Sequence, residues 1–228
     1  MTGFVCQYCK KSFTKESTLA AHMCEPKRRH QNQTDPDVQM GFKAYLRFYE
    51  ITQGSAKLKT YQDFAGSSYY SAFVKFGRHC RGIRCVNFAS YTDWLLKNNK
   101  KLDQWCKDAF YVEWLQQYMR KESVDDAVER AFKEMQDATE VDINLHKDFK
   151  NYFKYGGRNR ICHHIANGRI SPWIIYNCDT GIEFLGDLNE EQLAIIMPWI
   201  DPDFWQQKFR DYVADVEYIK NILKEAGL

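Results

Sequence analysis

No stretch of this sequence is apolar for the ~20 residues that a membrane-crossing helix needs, so a membrane partner is not expected. Proline occurs 5 times and glycine 12 times in 228 residues, too sparsely for a Pro- or Gly-rich linker or a low-complexity tract. No internal repeat is present, which excludes a solenoid. There is no Walker loop, no G-x-S-x-G, no H-E-x-x-H and no dinucleotide glycine fingerprint. The enzyme classes that carry those motifs fall away, and the reading leans against an enzyme. A metal-dependent nuclease, whose carboxylates meet only in space, stays open as a lesser alternative. Met1 is followed at once by Cys6 and Cys9 with no apolar signal region, so the expectation is a cytosolic or nuclear protein. In such a compartment the 8 cysteines read as reduced thiols or metal ligands, not as a disulfide framework, and the sequon at Asn32 is irrelevant.

What the chain does have is apolar mass and a charge gradient. Hydrophobic residues make up 44% and aromatics 15%, enough for a sizeable core. The net charge of +2 hides the gradient. Residues 1–30 hold 6 Lys and Arg against 2 Asp and Glu, residues 31–100 hold 10 against 5, and residues 101–228 hold 16 against 23. A basic front points to an anionic partner, with nucleic acid first among them.

The stretch "FVCQYCKKSFTKESTLAAH" places Phe4, Cys6, Cys9, Phe13, Leu19 and His22. Cysteines three positions apart sit on a tight turn with both sulfurs toward one ion. The following residues cross a short strand and enter a helix that brings the histidine round, and Phe13 and Leu19 supply a small core. At these six positions the stretch resembles the two-Cys/two-His zinc-finger family, which implies a ββα unit holding one zinc ion.

The departure comes at the fourth ligand. The family places a histidine three to five residues after the first, but Glu25, Pro26, Lys27 and Arg28 stand in and around that window. Two candidates remain, Cys24 early and His30 late. On a continuing helix, residues two apart point roughly 200° from one another. His22 and Cys24 therefore share an ion only if the helix ends between them, and Pro26 is expected to end it there. The reading favours Cys24 and keeps His30 as the alternative. A three-Cys site carries one more negative charge, which Lys27, Arg28 and Arg29 are placed to offset as a basic strap. The family's base-contacting helix positions map onto Lys15, Thr18 and Ala21. Ala21 reaches only a thymine methyl, so the finger is either an auxiliary clamp on DNA, helped by Lys10, Lys11 and Arg28, or a knob that docks on a protein.

The remainder reads as helical. Residues 31–37, "QNQTDPD", are polar and are read as a linker, so the expected domains are a finger with strap over 1–30 and an α-helical domain over 38–228. Asp35-Pro36 is a helix start, followed by Val38, Phe42, Tyr45, Leu46 and Tyr49 on one face. Further helices are expected near 60–77, 88–98, 102–120, 123–138, 146–155, 158–167, 189–199 and 203–226. Ser123 with Asp126, and Asn189 with Gln192, are start signals. The fold class is thus mainly α, a small ββα finger followed by a multi-helix body.

Two stretches of the body could meet phosphates. "SSYYSAFVKFGRHCRGIR" interleaves Tyr69, Tyr70, Phe73 and Phe76 with Lys75, Arg78, Arg81 and Arg84, a pattern suited to backbone tracking. An amphipathic helix with Tyr69, Phe73 and Phe76 on its core face explains the aromatics equally well. "YFKYGGRNRICHHIANGR" sets Arg158 and Arg160 after two glycines, as a phosphate loop would, or as a glycine helix stop would. His79, Cys80, Cys85, Cys162, His163 and His164 have no standard metal spacing and are read as buried thiols and surface histidines.

The odd finger, the "KRR" run, and then "GFKAYLRFYEI", "SSYYSAFVKFGR" and "GRISPWIIYNC" together resemble proteins encoded by large contractile-tailed bacteriophages. The resemblance implies the cytoplasm of an infected bacterium and no catalytic residue. The expected function is a zinc-finger accessory protein that binds nucleic acid, DNA in preference to RNA. The alternative is a module that binds a phage or host replication or transcription protein.

Overall fold

A computed structural model describes residues 3–54 and 58–228. It is mainly helical and begins with a small two-stranded sheet, as expected for the fold class. No helix among the described residues is long and apolar enough to cross a membrane. The chain forms two compact units that divide between Tyr111 and Val112.

The first unit opens on β1 (Phe4–Val5), antiparallel to β2 (Ser12–Phe13), with Phe4 opposite Phe13. Helix α1 (Glu16–Ala21) follows. Pro26 then stands in the first turn of α2 (Glu25–Gln31), a position where its missing N–H costs nothing. Residues 31–37 carry the end of α2, a 3-10 turn over Asn32–Thr34 and the start of α3 (Pro36–Gln53). Asp35 caps α3 by accepting from the amides of Asp37 and Val38, so the Asp-Pro start signal is read correctly.

The stretch 60–77 holds two helices and not the single one expected. Thr60 and Asp63 form a capping box that starts α4 (Tyr61–Gly66). Ser67 is extended at φ −70 and ψ 140, and α5 (Tyr70–Gly82) begins afresh after it. The new start changes which aromatics go inside. Tyr69 precedes α5 and is 53% exposed, while Tyr70, Phe73, Phe76 and Cys80 are buried. Tyr45 of α3, Phe73 and Trp105 meet edge to face, and α6 (Phe88–Lys97) adds Tyr91 and Leu95 to this core. Two glycines let α3 and α5 touch backbone to backbone. A Cβ on Gly41 would lie 2.6 Å from the Phe73 carbonyl oxygen, and one on Gly77 would lie 2.3 Å from that of Asp37.

The division falls within α7 (Asp108–Met119). The second unit continues with α8 (Val124–Val141), α9 (Tyr152–Tyr155), α10 (Arg158–Ala166), α11 (Pro172–Ile175) and α12 (Asp179–Gly186). It ends with α13 (Glu190–Ile200), α14 (Pro202–Asp211) and α15 (Val213–Ala226). Ser123 accepts from the Asp126 amide, and Asn189 with Gln192 makes a full capping box. The stretch 203–226 breaks at Tyr212 into α14 and α15, with no glycine or proline there to mark it. Trp173, Trp205, Ile165, Ile174 and Ile196 are among its fully buried side chains. Burial of Glu122 raises its carboxyl despite the Arg130 guanidinium 2.5 Å away and the Ser171 hydroxyl, which donates at 2.8 Å.

Candidate metal centre

Four side chains from three local structures converge in the first unit. Cys6 and Cys9 lie on the turn after β1. There the Cys6 amide donates to the Lys11 carbonyl and the Lys10 amide to the Cys6 carbonyl, both at 2.9 Å. Closing so tight a turn puts Lys10 in the left-handed region at φ 61, where a side chain costs roughly 1–2 kcal/mol. The amide of Cys9, and then that of Tyr8, point at the Cys6 sulfur. Together with the neighbouring thiols they outweigh desolvation and bring the Cys6 thiol down to about 7. Desolvation is the larger influence on Cys24 and pushes its thiol up.

His22 and Cys24 arrive differently from the expectation. Helix α1 stops at Ala21, before His22, and not at Pro26. His22 (φ −69, ψ 120) and Cys24 (φ −102, ψ 161) are both extended. In an extended chain, side chains two apart point to the same side, so both face the cysteines. Pro26 plays the opposite part to the one expected of it, since it starts α2 and does not end α1.

The ligand atoms of Cys6, Cys9, His22 and Cys24 all lie within 4.8 Å of one another. The Cys6 and Cys24 sulfurs are 3.9 Å apart, against an edge of about 3.8 Å for a tetrahedron with Zn–S bonds near 2.3 Å. The Cys9 sulfur and His22 Nε2 are 3.2 Å apart, so that edge opens by about 0.4 Å around an ion. The set is therefore a three-Cys, one-His group able to hold one metal ion. His30 lies outside it. Its ring packs on Tyr8 at 5.1 Å between centroids and edge-on to Tyr61 at 5.9 Å. No second group of this kind occurs among the described residues. His79 Nε2 lies 3.9 Å from Asp108, Cys80 pairs with Cys85, and His164 bonds to the Tyr152 hydroxyl at 2.6 Å.

The basic strap is largely committed within the protein. Arg28 and Arg29 both pair with Glu25, and Arg29 also donates to the carbonyls of Ala65 and Ser67. Lys27 is the member that reaches the site, donating to the His22 carbonyl at 3.1 Å. Of the other finger cations, Lys10 donates to the Gln7 carbonyl at 2.8 Å and Lys11 lies over the Phe13 ring. Lys15 is the N-cap of α1, and Thr18 and Ala21 are its third and sixth residues. All three are exposed on a helix of only 6 residues.

On α5, Asp37 gathers Arg78 at 2.9 Å and Arg81 at 2.6 Å. The hydrogen bond from Arg78 is the main reason that the Asp37 carboxyl is held below the usual carboxylate range. Lys75 is exposed, and Arg84 takes a left-handed turn after the helix at φ 50. In the second unit Arg158 pairs with Asp187 at 2.7 Å and Arg160 with Asp142 at 2.9 Å. Gly156 ends α9 with no room for a side chain, because a Cβ there would lie 2.3 Å from the Tyr152 carbonyl oxygen. No sequence signal marks Asp37, because its partners lie 41 and 44 residues away. No family model, curated protein or solved structure matches the chain.

Proposed function

We propose that Cys6, Cys9, His22 and Cys24 hold one zinc ion and that the first unit is a nucleic-acid-binding module, with DNA preferred over RNA. Four protein ligands leave no open position on the ion, the pattern of a structural zinc site and not a catalytic one. The observation that carries the nucleic-acid reading is that charge divides where the fold divides. Residues 1–111 hold 18 Lys and Arg against 9 Asp and Glu, while residues 112–228 hold 14 against 21. Internal pairing does not remove the excess. Glu25 and Asp37 each hold two arginines, so each cluster keeps one net positive charge, and Arg78 remains 74% exposed. Lys10, Lys11, Lys15 and Lys75 are exposed in the same unit, and positive charge of this kind is suited to phosphates.

The test is an anisotropy titration of the full chain against duplex and single-stranded DNA and RNA across salt. Phosphate neutralisation predicts affinity falling linearly on a log–log plot, with a slope near the number of contacts. Absence of binding to every one of these at low salt would end the reading. A second reading, docking on a replication or transcription protein, draws support from the acidic second unit. There Val141 and Ile143, at the end of α8, are 75% and 89% exposed. Capture of a partner that survives nuclease treatment would favour it. The resemblance to phage-encoded proteins supplies the context for either, the cytoplasm of an infected bacterium.

A further inference from the structure

Beside the metal centre, the turn that carries Cys6 and Cys9 joins α2 and α4 in forming a cleft of about 280 Å³, whose polar lining includes Gln7, Tyr8, Lys10, Arg29, His30 and Gln62. That volume is just under the ~300–1,000 Å³ of pockets that enclose drug-sized ligands, so it suits one flat ring system. Arg29 is part of the wall. Its guanidinium is spent on Glu25 and the carbonyls of Ala65 and Ser67, and it lies 4.6 Å over the Tyr70 ring. The other polar groups are available. Among the described residues no hydrogen bond engages the carboxamides of Gln7 and Gln62, the Tyr8 hydroxyl or the His30 ring, and both glutamines are exposed. A pocket for a bare phosphate needs donors alone. This one offers two carboxamides, each donor and acceptor, with a phenol and an imidazole whose rings already pack together at 5.1 Å. Mixed donors and acceptors beside aromatic faces match the edge and the face of a nucleobase. Lys10 spends one donor on the Gln7 carbonyl at 2.8 Å and keeps two for a phosphate.

We propose that this cleft takes one unstacked nucleobase of a single strand, an inference that rests on the nucleic-acid reading above. Gln7 and Tyr8 lie between the ligands Cys6 and Cys9, so loading of the metal shapes one wall of the cleft. The test uses the full zinc-loaded chain and two labelled DNA oligonucleotides of equal length, one an ordinary single strand and the other abasic. Both carry the same phosphates. The ordinary strand is expected to bind roughly tenfold more tightly, the scale of one stacked base. Gln62→Ala is expected to remove most of that ratio while leaving the abasic affinity, the salt slope and the zinc content unchanged. His30→Ala, which leaves the metal ligands intact, is the second variant. Equal affinity for the two strands overturns the proposal and leaves backbone binding standing. A ratio that survives both substitutions overturns it as well. No binding by either strand or by duplex at low salt overturns both this proposal and the reading on which it rests.

Discussion

The finger and the helical core of the same unit are held together in opposite ways. Across residues 3–24 only Cys6 is buried, and Phe13 and Leu19 stay partly exposed. Around α3 and α5, Tyr45, Phe64, Phe73, Phe76, Tyr91 and Trp105 are buried and touch one another. A fully buried aromatic contributes ~1.5–3 kcal/mol by transfer alone, and the finger has no such residue. On the proposed zinc reading its order comes from the ion, whose binding free energy in zinc-finger peptides is ~10–16 kcal/mol. The contrast teaches where each part is vulnerable: the finger to loss of one ion, the core to loss of one ring.

The largest effect should come from chelation. All six tryptophans lie at position 94 or later, two in the helical core of the first unit and four in the second unit, so they report on the helical body and not on the finger. A strong chelator should collapse the dispersed NMR signals of residues 4–24 and leave the tryptophan near-UV dichroism nearly unchanged. Loss of both signals together would show that the two parts are one cooperative structure. Next comes Phe73→Ala, expected to cost ~3–5 kcal/mol in denaturant unfolding while bound zinc stays at one per chain. An unchanged midpoint would contradict the packing described for α3 and α5. The smallest effect is expected from Lys10→Gly. Glycine tolerates the left-handed turn at φ 61, so the finger should gain up to ~1 kcal/mol, less the exposed bond to the Gln7 carbonyl. A raised zinc affinity with an unaltered tryptophan melt would confirm that this strain is confined to the finger.

How far the sequence could be read follows the same contrast. The finger is legible because its ligands sit close together in the chain and their spacing repeats a known geometry. Asp35-Pro36 and Asn189-Gln192 are legible because capping is a local matter. Pro26 is ambiguous in the sequence because a proline that bars a helix before it also opens one after it. The break at Tyr212 carries no glycine or proline, whereas the one at Ser67 follows directly on Gly66, the last residue of α4, a signal that a helix can also tolerate. The pairing of Asp37 with Arg78 and Arg81, and the cleft shared by Gln7, His30 and Gln62, depend on segments far apart in the chain. Only packing brings those residues together. The interleaved aromatics and arginines of α5 likewise resolve into a buried face and a partly paired surface once the helix start is known.

The central claim is that an extended His22–Cys24 segment closes a three-Cys, one-His zinc site. It is tested most directly by counting bound zinc in Cys24→Ser and His30→Ala, each in the full chain. The account predicts that Cys24→Ser loses the ion, or holds it far more weakly, while His30→Ala retains one per chain. Retention in Cys24→Ser with loss in His30→Ala would contradict it.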